Sequence, residues 1–128
     1  MRIPETGYIT DINHGALFTG YGAEMRFVIW PGMGSRKLNL HRAEHPPGLE
    51  FKVHVHPDSE DTVLAFQGRG QGFLVDRWHD MEEGDVMFAP RHVKHGTRNP
   101  SGGSRELFIA TGSAAPPQME LYHLGGYL

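Results

Sequence analysis

The residues of this chain best suited to chemistry are His54 and His56, two imidazoles separated by one valine in the stretch from Gly48 to Gly68, GLEFKVHVHPDSEDTVLAFQG. Side chains two apart on a strand share a face, and there the pair stands roughly 6.6 Å apart along the chain. At that spacing both can converge on one ion. A second histidine-bearing stretch downstream is expected to supply a third ligand. Three neutral imidazoles, with or without a carboxylate, suit a first-row divalent ion such as Fe, Mn, Ni, Cu or Zn. Such a set leaves coordination positions for water or substrate, which distinguishes a catalytic site from a structural one. The chain has no cysteine, so thiolate ligands, disulfides and a cysteine nucleophile are excluded.

Strands must position these residues. Glu50 to His56 is expected as one strand, and the apolar run TVLAFQ over residues 62 to 67 as the next. Gly68, Gly70 and Gly72 open a hairpin into Phe73-Leu74-Val75, and residues 76 to 80 are read as a turn. Val86 to Ala89 forms a strand that Pro90 stops, and Lys94 to Asn99 carries the third histidine, His95. Upstream, EMRFVIW over residues 24 to 30 is rich in β-branched and aromatic residues. Ser35 to Glu44 alternates, with Leu38, Leu40 and Arg42 on one face and Lys37, Asn39 and His41 on the other. Residues 1 to 22 show no clear period beyond a short strand at Leu17-Phe18 and are read as an arm. Glu106 to Thr111 is the last strand, and the apolar tail after Pro116-Pro117 is expected to pack. About eight short strands without a long 3.6-residue period indicate an all-β sandwich or closed double sheet.

The bulk numbers agree. A chain of 128 residues fits one domain with a single core, spanning 1 to 128. Its formal charge of −3 gives no basic excess for nucleic acid. No window approaches a membrane span, and MRIPETGYIT lacks the apolar run of a signal peptide, so cytoplasm is the expected location. GRGQG over residues 68 to 72 opens no helix, and no Gly-x-Ser-x-Gly elbow occurs, so phosphate-cradle and serine-nucleophile chemistries find no support.

The two histidine stretches resemble the paired motifs of the cupin family. Gly48, five residues, His54-x-His56, an acidic residue, six residues and Gly68 follow the first motif. Gly84, five residues, Pro90, then His95, three residues and Asn99 follow the second. Fifteen residues separate the motifs, and the resemblance covers 52 of the 128 residues. It implies a double-stranded β-helix, or jelly-roll, barrel holding one divalent transition metal ion on His54, His56, His95 and an acid.

The chain departs from the family pattern at two positions. His92 occupies the usual glycine position of the second motif, so that turn must accommodate a β-carbon. Counting back from Gly68 places Asp61 where the family usually has glutamate, while Glu60 is the right type but one residue early. In a regular ladder Asp61 faces inward and is favoured; a bulge would bring in Glu60 instead, and water is the third way to fill the position. The acid would act as fourth ligand or as base.

Other residues carry weaker expectations. Lys52 shares the face of His54 and His56, so it either reaches the barrel mouth or meets an acidic substrate group; Arg42 has the same two readings. His92 is a candidate proton carrier at the mouth. His14, His41, His45, His79 and His123 are read as surface or core-satisfied histidines, and Phe51, Phe66, Phe73, Phe88 and Phe108 as core. The resemblance implies an enzyme acting on a small oxygen-bearing substrate (a carboxylate, a diketone or an aromatic polyol) by dioxygenase-, decarboxylase-, isomerase- or cyclase-type chemistry. A binding protein whose metal anchors a small molecule is the alternative. Homodimerisation is the expected assembly, as small cupins commonly dimerise.

Overall fold

The structure is a computed structural model that describes residues 6–100 and 106–118. Nine strands follow in order: β1 (Ala16–Gly20), β2 (Ala23–Ile29), β3 (Asn39–His45), β4 (Glu60–Gln67), β5 (Gly70–Leu74), β6 (Arg77–Met81), β7 (Val86–Ala89), β8 (His95–Arg98) and β9 (Phe108–Ala115). They form two antiparallel sheets. The larger has the order β1-β2-β3-β9-β4-β7 and the smaller the order β6-β5-β8. This is the all-β double-stranded barrel that the motifs imply.

The alternating strands bury one face between the sheets. Phe18, Met25, Phe27, Ala43 and Phe51 form one apolar cluster; Val63, Ala65, Met81, Met87, Phe108 and Ala110 form another. Of the five phenylalanines read as core, Phe51 and Phe108 are buried, whereas Phe66 and Phe88 project outward, 45% and 51% exposed. The ladder dictates this outcome. Thr62 pairs with Phe88 and Leu64 with Val86, so these outward positions share a face with Phe66, while Asp61, Val63 and Ala65 turn inward.

Three expected elements differ. The turn expected over residues 76 to 80 is instead strand β6, paired with β5 from Gly70↔Met81 to Leu74↔Arg77. The chain reverses at Val75 and Asp76, and Val75 takes a left-handed φ of 66°. Arg77, Trp78, His79 and Asp80 stand on a largely solvent-exposed hairpin, so no apolar alternation announces the strand. Glu50 to His56 is extended but pairs only intermittently with β8, through bridges Glu50↔Arg98 and His54↔His95. Third, β3 points the polar side of its alternation inward: Asn39, Ala43 and His45 are buried, and Leu38 is 44% exposed. The tail from Met119, with His123, lies outside the described residues.

Candidate metal centre

Backbone pairing brings the three histidines together. The His54 amide donates to the His95 carbonyl and the His95 amide to the His54 carbonyl, each at 3.0 Å, which sets the two side chains opposite one another. His56 follows two residues on, on the same face. The rings stand 4.6 Å (His54–His95), 4.8 Å (His56–His95) and 4.9 Å (His54–His56) apart, and one nitrogen from each lies within 4.8 Å of the others.

Ring orientation is set by the second nitrogen. His54 Nδ1 donates to the Lys52 carbonyl at 2.6 Å, and His95 Nδ1 to the Val93 carbonyl at 2.9 Å. With Nδ1 so engaged, Nε2 is the ring nitrogen left to face the centre in each. Metal-binding histidines are typically held this way. Burial pushes the His54 pKa down to about 3, so this imidazole is neutral at neutral pH.

Asp61 completes the cluster from the other sheet. It lies in register with Ala89 and Ala114 on a regular stretch of β4, and the ladder's irregularity falls later, between Ala65 and Gln67. Asp61 therefore faces inward, 3% exposed, and Glu60 faces solvent. No bulge brings Glu60 to the centre. Asp61 Oδ2 lies 3.5 Å from both His56 Nε2 and His95 Nε2. Burial acts to raise the Asp61 carboxyl, but the neighbouring His56 and His95 outweigh it and hold the group well below the usual carboxylate range.

This arrangement has a chemical consequence. The Asp61 carboxylate faces two ring nitrogens at 3.5 Å, an arrangement that a shared proton or a metal ion would satisfy. Asp61 Oδ1 and His95 Nε2 are buried without a hydrogen-bond partner among the described residues, and no lysine or arginine lines the adjoining cavity. Buried groups of this kind are costly unless paired or coordinated. The three histidines thus form a donor set that fits a metal ion, with the Asp61 carboxylate beside two of them.

The cavity beside the centre measures about 40 Å³ and runs between the two apolar clusters. Three of its polar lining residues were not read as part of a site from the sequence. Tyr21, in left-handed backbone at φ 56°, stacks on His54 at 3.5 Å with its hydroxyl 3.5 Å from His56 Nδ1. His41, read as surface or core-satisfied, faces the cavity, with Nδ1 buried and unpartnered among the described residues. Burial lowers its pKa. A β-carbon at Gly112 would run into its ring, so Gly112 makes its room. Gln118, at the end of the described chain, is buried with Nε2 2.7 Å from His56 Nε2. All three reach the cavity from distant parts of the chain, and no local spacing marks them.

Other sequence candidates lie elsewhere. Lys52 is exposed, and its aliphatic stem faces Gly22 rather than lining the cavity. Arg42 points to the outer face of β3, where Nη1 meets Glu44 Oε1 at 2.6 Å. His45 is a core histidine, bonded to the Phe108 carbonyl at 3.1 Å and Thr97 Oγ1 at 2.8 Å. His92 is exposed and left-handed at φ 69°, and its amide donates to the His56 carbonyl at 3.2 Å.

Comparison with known proteins gives this arrangement a family. Residues 41–110, more than half of the chain, match the model of the cupin domain. The chain belongs to the cupin family. This cupin is 25% identical over 118 residues to germin-like protein subfamily 2 member 1 of Arabidopsis thaliana, a match covering 88% of the chain and 52% of the relative. It spans about half the length of the curated relatives it matches. Among solved structures, TT1209 of Thermus thermophilus superposes with a TM-score of 0.65 at 24% identity, covering 85% of this chain and 97% of that one. A conserved double-stranded beta-helix protein of Klebsiella pneumoniae superposes with a TM-score of 0.66 at 20% identity, covering 86% and 90%. At these identities the likeness is one of fold.

Proposed function

We propose that this cupin is a metal-dependent enzyme acting on a small oxygen-bearing organic substrate. The observation that carries the reading is the convergence of three imidazoles, two oriented by backbone carbonyls, with the buried carboxylate of Asp61 3.5 Å from two of them. His54, His56, His95 and Asp61 would hold one first-row divalent ion, which acts when bound as a Lewis acid toward a substrate oxygen. Tyr21 fixes the His54 ring from outside by stacking. Met25, Ala43, Phe51, Val63 and Ala110 keep the cavity apolar, which strengthens electrostatic interactions inside it. Asp61 and His41 are the cavity's candidate proton acceptors.

The cavity limits the substrate. About 40 Å³ is far below the several hundred of a drug-sized site, which supports a small reacting group at the centre. This favours carboxylates, diketones and other compact oxygen ligands.

Metal analysis of the purified protein beside a His54→Ala control tests the site: stoichiometric metal in the first and its loss in the second are expected, and metal in neither sinks the reading. Turnover on a panel of diketones, oxalate, flavonols and sugar acids then tests the enzyme. Ligands that raise the melting temperature without being consumed would make the protein a small-molecule binder instead. Oxygen uptake separates dioxygenase from redox-neutral chemistry.

A further inference from the structure

We infer that Gln118 is a substrate-binding residue of this site, an N–H donor of fixed orientation that selects a ligand bringing an anionic oxygen to the metal centre. The inference rests on the metal reading above and concerns a residue that lies outside both histidine motifs.

The hydrogen-bond network decides which end of the Gln118 amide faces the histidines. The Gln118 backbone N–H donates to Asn39 Oδ1 at 2.7 Å, which fixes the Asn39 side chain with Nδ2 as its remaining donor. That Nδ2 donates to Gln118 Oε1 at 3.3 Å. Gln118 Oε1 is therefore turned toward Asn39, and Nε2 is turned toward His56 Nε2 at 2.7 Å. Asn39 and Gln118 are both buried, so neither amide exchanges partners with solvent. The segment before Gln118 is anchored too: Ser59 Oγ donates to the Pro116 carbonyl at 2.6 Å.

An ion on His56 occupies the same lone pair that Gln118 Nε2 now addresses. With an ion there, the amide would turn its N–H groups from His56 toward the cavity it lines, while Oε1 stays bonded to Asn39. A group presenting only N–H at this position cannot serve as a ligand to a cation, since its lone pair is delocalised into the amide. It can donate to the oxygen of whatever ligand enters beside the metal. A hydrogen bond from a buried neutral donor to a charged acceptor is worth substantially more than one to a neutral acceptor. Gln118 thus favours carboxylate and enolate oxygens over neutral carbonyl or alcohol oxygens. Among the described residues, the other polar side chains of the cavity, Tyr21, His41, His54, Asp61 and Thr97, include no lysine or arginine that could do this instead.

The test uses the full chain loaded with Co(II), whose visible absorption reports ligand entry, titrated with acetate. Two variants are compared with the wild type. Gln118→Met keeps length and volume but has no donor; Gln118→Glu keeps the oxygen that Asn39 addresses and puts an acceptor where the donor stood. In Gln118→Met, acetate affinity falls about tenfold or more while cobalt affinity is unchanged. In Gln118→Glu, cobalt affinity rises and acetate binding is lost. A purely structural Gln118 would lower the melting temperature in Gln118→Met and leave acetate affinity in both variants at the wild-type value, which overturns the inference. Loss of cobalt from Gln118→Met would make Gln118 a ligand and overturns it equally. If Gln118→Met does not fold, Gln118→Glu alone decides, since retained acetate binding there is incompatible with a donor role. A wild-type chain that takes up no cobalt defeats the metal reading itself, and is thereby distinguishable from failure of this inference.

Discussion

At the residue scale the two acids beside the histidines make a sharp contrast. Asp61 is buried 3.5 Å from two imidazoles, and Glu60, its neighbour, faces solvent. Asp61→Asn should lower metal affinity by about 10- to 100-fold, the range seen when groups supporting a metal site are changed, and Glu60→Gln should leave it unaltered. Competition against a chelator measures both, and equal affinities in the two variants would remove Asp61 from the site. His45 gives a second residue-scale prediction. Burial holds its pKa at about 4, below the ordinary value near 6.5, so the unfolded chain binds this proton more readily than the native one. Its contribution to stability is full above about pH 6.5 and is lost as pH falls toward about 4, at up to about 1.4 kcal/mol per pH unit. Urea unfolding of the wild type and His45→Gln between these limits should show a shallower slope in the variant; parallel slopes would contradict it. The spacing of His54, His56 and His95 was legible in the sequence because two of them share one face of an extended segment and the third lies within a recognisable motif. Tyr21, His41 and Gln118 were not, because each reaches the cavity only through long-range pairing. His41 in particular lies on a face of β3 whose polar side turns inward, against the hydropathy of its alternation.

At the scale of elements, the strands with an apolar inner face were readable, and those lacking one were not. β4 and β7 are apolar runs readable as strands although Phe66, Val86 and Phe88 face outward, and the count back from Gly68 lands on the inward-facing acid, Asp61, because the ladder around it is regular. β6 stands on an exposed hairpin and shows no such pattern, so its residues looked like a turn. The segment carrying His54 and His56 is extended, yet its pairing with β8 is reduced to separate bridges. The loop after β7 holds a further test. His92 occupies a left-handed conformation at φ 69° that favours glycine, and its backbone amide is tied to the His56 carbonyl. His92→Gly should stabilise the protein by about 1 kcal/mol, raising the melting temperature by a few degrees. Calorimetry decides this, and a lower melting temperature would mean the imidazole has a stabilising contact that outweighs its backbone strain. The same variant should retain metal, since His92 stands outside the cavity.

At the scale of the whole molecule, the candidate ligands come from both sheets. His95 lies on β8 of the smaller sheet and the His54–His56 segment pairs beside it, while Asp61 comes from β4 of the larger. Between the sheets lie the two apolar clusters and, at their junction, the cavity with its buried carboxylate. Without a cation, that junction keeps an ionised group whose Oδ1 is unpartnered among the described residues, so the native state carries a local cost there. An ion that binds the native state and not the unfolded chain relieves it and adds RT ln(1 + [L]/Kd), about 2.7 kcal/mol at a free concentration one hundred times Kd. For a domain of this size that raises the melting temperature by about 10 °C. Removing one ligand must reduce the gain by about 1.4 kcal/mol for each tenfold loss of affinity, while the site stays near saturation. Calorimetric scans at one fixed metal concentration should therefore rank the proteins: full stabilisation in the wild type and Glu60→Gln, a smaller shift in Asp61→Asn, and none in His54→Ala. A shift in Asp61→Asn equal to the wild type's would mean that the three histidines of one sheet hold the ion alone, and that the carboxylate across the cavity faces the substrate as a base instead.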